Sequence, residues 1–207
     1  MIKPDIIFDM DGTLSDTGRA TEKAIKAIEE RFHLPSITYN HIQDVMGIGG
    51  LDFYRGLFPN VPEDVIVALE PVVDALEDEA IRDLGTTILF PGVNEMLTTL
   101  KEAGYRLHIA STGSQNHVNV TLQAANIKHL FTTISCDQPE KISMVRNIIA
   151  GSDPGKWAMV GDMFKDSEAA KGNNILALGA GFGYLAKEDE SLFDAIIKTP
   201  RDIWAYV

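Results

Sequence analysis

The chain has little of several things. It holds a single cysteine, Cys136, in 207 residues, so no internal disulfide can close. That suits a reducing compartment, and the expected location is cytoplasmic. No apolar run approaches the roughly 18 residues of a membrane span. No charged segment leads into a longer apolar stretch, so no signal peptide is expected. Basic residues are in deficit: 18 Lys and Arg against 30 Asp and Glu give a net charge of −12. Nucleic acid and anionic membranes are therefore unfavourable partners. Repeats and low-complexity segments are missing too. What is present is ordinary globular material, 45% hydrophobic, enough to bury a core.

The most informative stretch is Ile6-Ile7-Phe8-Asp9-Met10-Asp11-Gly12-Thr13-Leu14. A short apolar run without polar alternation reads as a buried parallel strand. It ends in two carboxylates, with Asp9 at the strand tip and Asp11 on a turn that Gly12 permits.

From about 16 to 87 the pattern is helical throughout. Ala20, Ala24, Ile25, Ala27, Ile28 and Phe32 share one face of a first helix, which Pro35 ends. A second helix starts near Tyr39 and stops at Gly47-Ile48-Gly49-Gly50. A third runs over 51–58. A long fourth carries Val65, Leu69, Val72, Leu76, Ala80 and Leu84, with a kink expected at Pro71 and a C-cap at Gly85. Strands and helices then alternate: strands at 105–110, 131–135, 157–160, 175–178 and 195–197, helices at 93–103, 116–125, from Lys141, and at 166–171. Such alternation predicts an α/β fold, a Rossmann-like doubly wound parallel sheet with right-handed crossovers. The expected division is 1–15 and 88–207 for this core, with 16–87 an inserted helical domain.

Strand tips of a parallel sheet share one edge, so distant polar residues converge there. They are Asp9 and Asp11, then Ser111 and Thr112, then Lys141, then Asp162 and Asp166. Clustered carboxylates repel one another unless a cation is bound. Oxygen donors without a Cys/His cluster favour a hard ion, Mg²⁺. With Asp9 as nucleophile, Ser111 or a backbone N–H on a phosphate oxygen, Lys141 as a fixed positive charge and Asp11 as acid and base, such a site suits phosphoryl transfer.

The run Asp9 to Thr17, Ile109-Ala110-Ser111-Thr112, Lys141, and Gly161-Asp162-Met163-Phe164-Lys165-Asp166 together resemble, in order, the four motifs of the haloacid dehalogenase (HAD) superfamily. The resemblance implies Asp9 as nucleophile, and a metal held by the Asp9 carboxylate, the Asp11 backbone carbonyl and Asp162. Asp166 is implied as a further ligand or a residue orienting the others. It also implies that 16–87 is a C1-type cap. Gly181-Phe182-Gly183-Tyr184 looks like the phosphoglycolate phosphatase-like branch.

An acid at position 11 favours phosphate esters over halides, because a departing halide needs no proton. The expected reaction is Mg²⁺-dependent hydrolysis of a small phosphorylated metabolite, phosphoglycolate-like or a sugar or nucleotide phosphate. A β-phosphoglucomutase-like mutase is the alternative. A phosphonatase would need a cap lysine at the site, and Lys23 and Lys26 read as solvent-facing. Cap contacts are expected from Gly49 in the glycine-rich loop and from Arg55, with Thr112 as a further substrate contact. His41, His108, His117 and His129 read as structural or solvated, and Cys136 as a small buried residue. Either a monomer or a homodimer fits.

Overall fold

A computed structural model describes residues 3, 5–138, 140–151 and 157–207. Strand β1 (Asp5–Phe8) is buried along its whole length. Its apolar side chains alternate between two faces, and both need cover, so it belongs in the middle of a sheet. It pairs in parallel with β2 (Arg106–Ala110) on one side and β4 (Trp157–Gly161) on the other. Outside these lie β3 (Phe131–Ser135), β5 (Leu176–Ala180) and β6 (Ala195–Ile197), giving the order β3-β2-β1-β4-β5-β6, all parallel. The chain winds outward from β1 in one direction, then from β4 in the other. Between β1 and β4 lies the crevice where open α/β sheets bind ligands.

Ile6 and Phe8 join one core with α5 (Val93–Glu102) and α6 (Gln115–Ala124). Ile7 joins a second on the opposite face with α7 (Lys141–Ile149) and α8 (Phe164–Lys171). The fold is a doubly wound α/β sheet.

Between β1 and α5 come α1 (Gly18–Phe32), α2 (Tyr39–Val45), α3 (Leu51–Leu57) and α4 (Glu63–Leu84). They enclose an apolar cluster of their own, including Ile25, Ile42, Phe58, Leu69 and Val73. The two connections to this helical segment lie against each other: Ser15 bridges antiparallel to Leu89, and the Asp16 N–H donates to the Ile88 carbonyl at 2.7 Å. Pro71 does not end α4. It and Val67, whose carbonyl it leaves without a partner, are both exposed, so water can take the missing bond.

Element ends differ from expectation by a residue or two. Helix α8 starts at Phe164, ahead of Asp166, because the Asp166 carboxylate reaches back to accept from the N–H groups of Asp162 (3.1 Å) and Met163 (2.9 Å). Among the described residues no helix is long and apolar enough to cross a membrane.

Candidate active site

The β1 ladder extends to Asp9, whose N–H donates to the Val160 carbonyl at 2.9 Å. The chain then turns sharply. The Met10 carbonyl accepts from Leu14 (2.8 Å) and Ser15 (3.0 Å), with Gly12 at φ +80°. A Cβ on Gly12 would lie 2.5 Å from Asp162 Oδ2, so the absence of a side chain lets the two strand tips meet.

There Asp9, Asp162 and Asp166, all buried, bring carboxylate oxygens within 4.8 Å of one another. Lys141, buried at the start of α7, lies 2.8 Å from Asp9 and 2.7 Å from Asp166. Burial pushes the Asp9 carboxyl up to about 7, although Lys141 opposes it. Burial, then the charges of Asp9 and Asp166, drive Asp162 well above the carboxylate range. Burial would lower the Lys141 ammonium, but Asp166 and Asp9 outweigh it and hold it firmly charged. Asp162 Oδ1 accepts from the Thr13 hydroxyl at 2.5 Å, whereas Oδ2 is buried without a hydrogen-bond partner among the described residues. Three carboxylates facing one ammonium, with a buried oxygen left over, fit a hard divalent cation. Carboxylate oxygens of this kind suit Mg²⁺ better than a soft metal.

Asp11 stands apart from this cluster, with its Oδ1 2.9 Å from His117 Nε2. From its sequence His117 is expected to be structural or solvated. Instead the first turn of α6 brings it to the site, while Ser114 caps that helix by accepting from the His117 N–H at 3.2 Å. Burial would raise Asp11, but the His117 charge and hydrogen bond prevail and hold it below the usual range. Burial would likewise lower His117, yet Asp11 and then Glu77 and Asp78 push it up to about 10. The pair therefore holds one proton at neutral pH.

Ser111 is buried at the tip of β2, its N–H on the Ser135 carbonyl (3.0 Å) and its Oγ accepting from the Gly113 N–H (3.1 Å). Thr112 lines a cavity of about 230 Å³ that runs from Asp11 and His117 to the loop 47–50. Gly49 lines it too. Arg55 does not: it turns outward, pairing with Asp52 at 2.6 Å and with Glu63. Those nearby acids satisfy its guanidinium and hold it off the site. The residues that sequence reasoning missed are acids of α4, since Glu70, Asp74, Glu77 and Asp78 line the cavity. Asp74 accepts from Tyr54 Oη at 2.6 Å, Glu77 from the Thr21 hydroxyl, and Asp78 from Asn116 Nδ2 at 2.7 Å.

The connection to the helical segment is pinned at Asp16. One of its oxygens accepts from Tyr184 Oη at 2.6 Å and from the Tyr39 hydroxyl, and the two hydroxyls lie 3.2 Å apart. The Tyr184 N–H donates to the Gly12 carbonyl at 2.9 Å. Hence the 181–184 loop touches both the Asp11 turn and the helical segment.

Comparison with known proteins agrees with this architecture. The model of a family described as haloacid dehalogenase-like hydrolase matches residues 6–180. A phosphoglycolate phosphatase of Caulobacter vibrioides is 26% identical, covering 96% of this chain and 88% of that one. The pyrophosphatase PpaX of Bacillus pumilus is 23% identical, covering 98% and 95%. A crystal structure of a predicted phosphoglycolate phosphatase from Haemophilus somnus superposes with a TM-score of 0.87 at 24% identity, covering 99% and 98%. A β-phosphoglucomutase from Clostridium difficile gives 0.76 at 18% identity, covering 97% and 93%, which shows the shared fold.

Proposed function

The chain belongs to the haloacid dehalogenase-like hydrolase family, and within it we propose a Mg²⁺-dependent phosphatase that hydrolyses a small phosphate monoester. The observation that carries this reading is the Asp9–Lys141–Asp166–Asp162 cluster with the Asp11–His117 pair two residues along the chain. Names of relatives support it, phosphatases and a pyrophosphatase among them.

Asp9, Asp162 and the Asp11 carbonyl would hold the ion, with Asp166 fixing Lys141 and the Asp162 backbone. When bound, Mg²⁺ supplies positive charge that offsets the phosphate and the carboxylates. An Asp9 carboxylate oxygen attacks phosphorus as the bond to the leaving alkoxide breaks, giving an aspartyl phosphate. Lys141 keeps Asp9 aligned and offsets charge on the transferring group, with Ser111 on a phosphate oxygen. The Asp11–His117 pair gives its proton to the departing oxygen. Asp11 then takes a proton from water as that water attacks phosphorus, releasing inorganic phosphate and restoring Asp9. The segment 16–87 serves as the cap that encloses the leaving group.

The test is phosphate release from a panel of small monoesters with and without Mg²⁺, alongside Asp9→Asn. Mg²⁺-dependent release that the substitution abolishes supports the phosphatase. Conversion of β-glucose 1-phosphate to the 6-phosphate without phosphate release would replace it with the mutase.

A further inference from the structure

The part of the cavity beyond Asp11, where the leaving group of an ester must sit, is lined by carboxylates. Glu70, Asp74, Glu77 and Asp78 follow the spacing i, i+4, i+7, i+8, which places them on one face of α4. Among the described residues that line the cavity, His117 is the only basic one, and Asp11 already claims it. Among the described residues no Lys or Arg lines it, although Lys165 Nζ reaches its rim, donating to the Gly47 carbonyl at 3.3 Å. Arg55 is taken by Asp52 and Glu63, and Arg82 reaches only Asp78, at 3.5 Å.

Asp74, Glu77 and Asp78 accept from Tyr54, Thr21 and Asn116, all neutral donors. Those bonds satisfy lone pairs and leave the negative charge in place. Carboxylates four residues apart on a helix repel each other. Setting aside Glu77, whose carboxyl burial raises, and Asp78, which pairs with Arg82, leaves Glu70 and Asp74 on that face with no basic partner among the described residues that line the cavity. A second small metal ion does not resolve this. Among the described residues the carboxylate group close enough to chelate one ion is Asp9, Asp162 and Asp166, and the α4 acids are not part of it. Their spread along the helix suits a larger cation that meets them one at a time. The rings of Phe53 and Tyr54 line the same space and add a surface that attracts organic cations.

Resting on the phosphatase reading above, we infer that the substrate is a phosphate monoester of an amino alcohol, its phosphate at the Asp9 end and its ammonium group against the acidic face of α4. A carboxylate-bearing ester such as phosphoglycolate meets repulsion from that face, with His117 held by Asp11 and Lys165 held by the Gly47 carbonyl. This chain therefore departs in specificity from the phosphoglycolate phosphatases it is similar to.

The experiment compares kcat/KM, at saturating Mg²⁺, for phosphoethanolamine, glycerol 2-phosphate and phosphoglycolate, with p-nitrophenyl phosphate as a general reporter. The ammonium ester is expected to exceed the carboxylate ester by at least about tenfold, the equivalent of ~1.4 kcal/mol. The double variant Glu70→Gln, Asp74→Asn keeps the shapes and removes two charges. It is expected to close most of that gap, chiefly by raising KM for phosphoethanolamine, with its thermal midpoint confirming a folded protein. Equal or faster turnover of phosphoglycolate overturns the inference. So does preference for the uncharged glycerol ester, or a gap that the double variant leaves intact. Release from none of the four, p-nitrophenyl phosphate included, overturns the phosphatase reading itself and this inference with it.

Discussion

The Lys141 ammonium lies 2.8 Å from the Asp9 carboxylate, and both groups are buried at the meeting point of β1, β4 and α7. Among the described residues it is the only cation within hydrogen-bonding reach of that carboxylate cluster. Lys141→Met leaves Asp9, Asp162 and Asp166 facing one another with no counter-charge. Removing one partner of a buried ion pair costs about 3–5 kcal/mol. A loss of this order is expected in urea unfolding without metal, with part of it regained on adding Mg²⁺. Undiminished stability in metal-free buffer would show that the pair is not structural.

Protons and the cation compete for the same oxygens. Asp9 is pushed up to about 7 and Asp162 is raised as well, so near pH 6 the metal-free site holds protons that Mg²⁺ must displace. Between about 4 and 7 the folded Asp9 keeps a proton that the unfolded chain has released. Metal-free stability therefore falls as pH rises across that window. The increase in thermal midpoint caused by a fixed Mg²⁺ concentration should be larger at pH 8 than at pH 6. Calorimetry at the two pH values decides this, and an equal increase would refute it.

His117 works in a different window. Its folded pKa of about 10 lies above the unfolded value of 6.5, so its contribution is complete below about 6.5 and is lost as pH rises toward 10. One such proton gives a slope of ~1.4 kcal/mol per pH unit. His117→Asn should flatten stability between pH 7 and 10. It should also reduce kcat more than it raises KM, because the departing oxygen loses its proton source. Denaturant unfolding at several pH values, paired with steady-state kinetics, checks both.

Gly183 is a steric matter. A Cβ there would stand 1.9 Å from the Gly12 carbonyl oxygen, which is backbone and cannot swing away. Gly183→Ala should displace the 181–184 loop, break the Tyr184 bond to Gly12, and cost on the order of 1–3 kcal/mol or more. Because Gly12 covers Asp162 Oδ2, Mg²⁺ affinity should fall with it. Thermal shift with and without Mg²⁺ reads both effects.

The sheet was legible because buried parallel strands leave short apolar runs without polar alternation, and their tips carry the abrupt change to polar residues. Asp9, Asp162 and Asp166 stood out for that reason, and the structure gathers all three. Lys141 had only its place before an amphipathic helix, yet it too reaches the cluster. His117 gave no signal. It sits in the first turn of a helix among other polar residues, and helical periodicity says nothing of what such a residue meets across space. The acids of α4 were hidden by the same ambiguity, since a polar helix face looks alike whether it borders water or a cleft. Arg55 misled in the opposite way. Its charge suited a substrate anion, but Asp52 and Glu63 are nearer. Pro71, where a kink is expected, lies inside a helix that runs on past it to Leu84.

Tyr184 ties the Asp11 turn to the helical segment from a loop near the end of the chain, and β1 sits between strands made much later than itself. During synthesis the first strand must wait for β2 and then β4, and Asp16 must wait longer still for its tyrosine. A ribosome-bound chain that ends before residue 162 has Asp9 but not its carboxylate neighbours. One that ends before residue 184 lacks the clamp on the connection. Order of emergence thus sets the earliest moment at which the carboxylate cluster, and after it the Asp16–Tyr184 contact, can assemble.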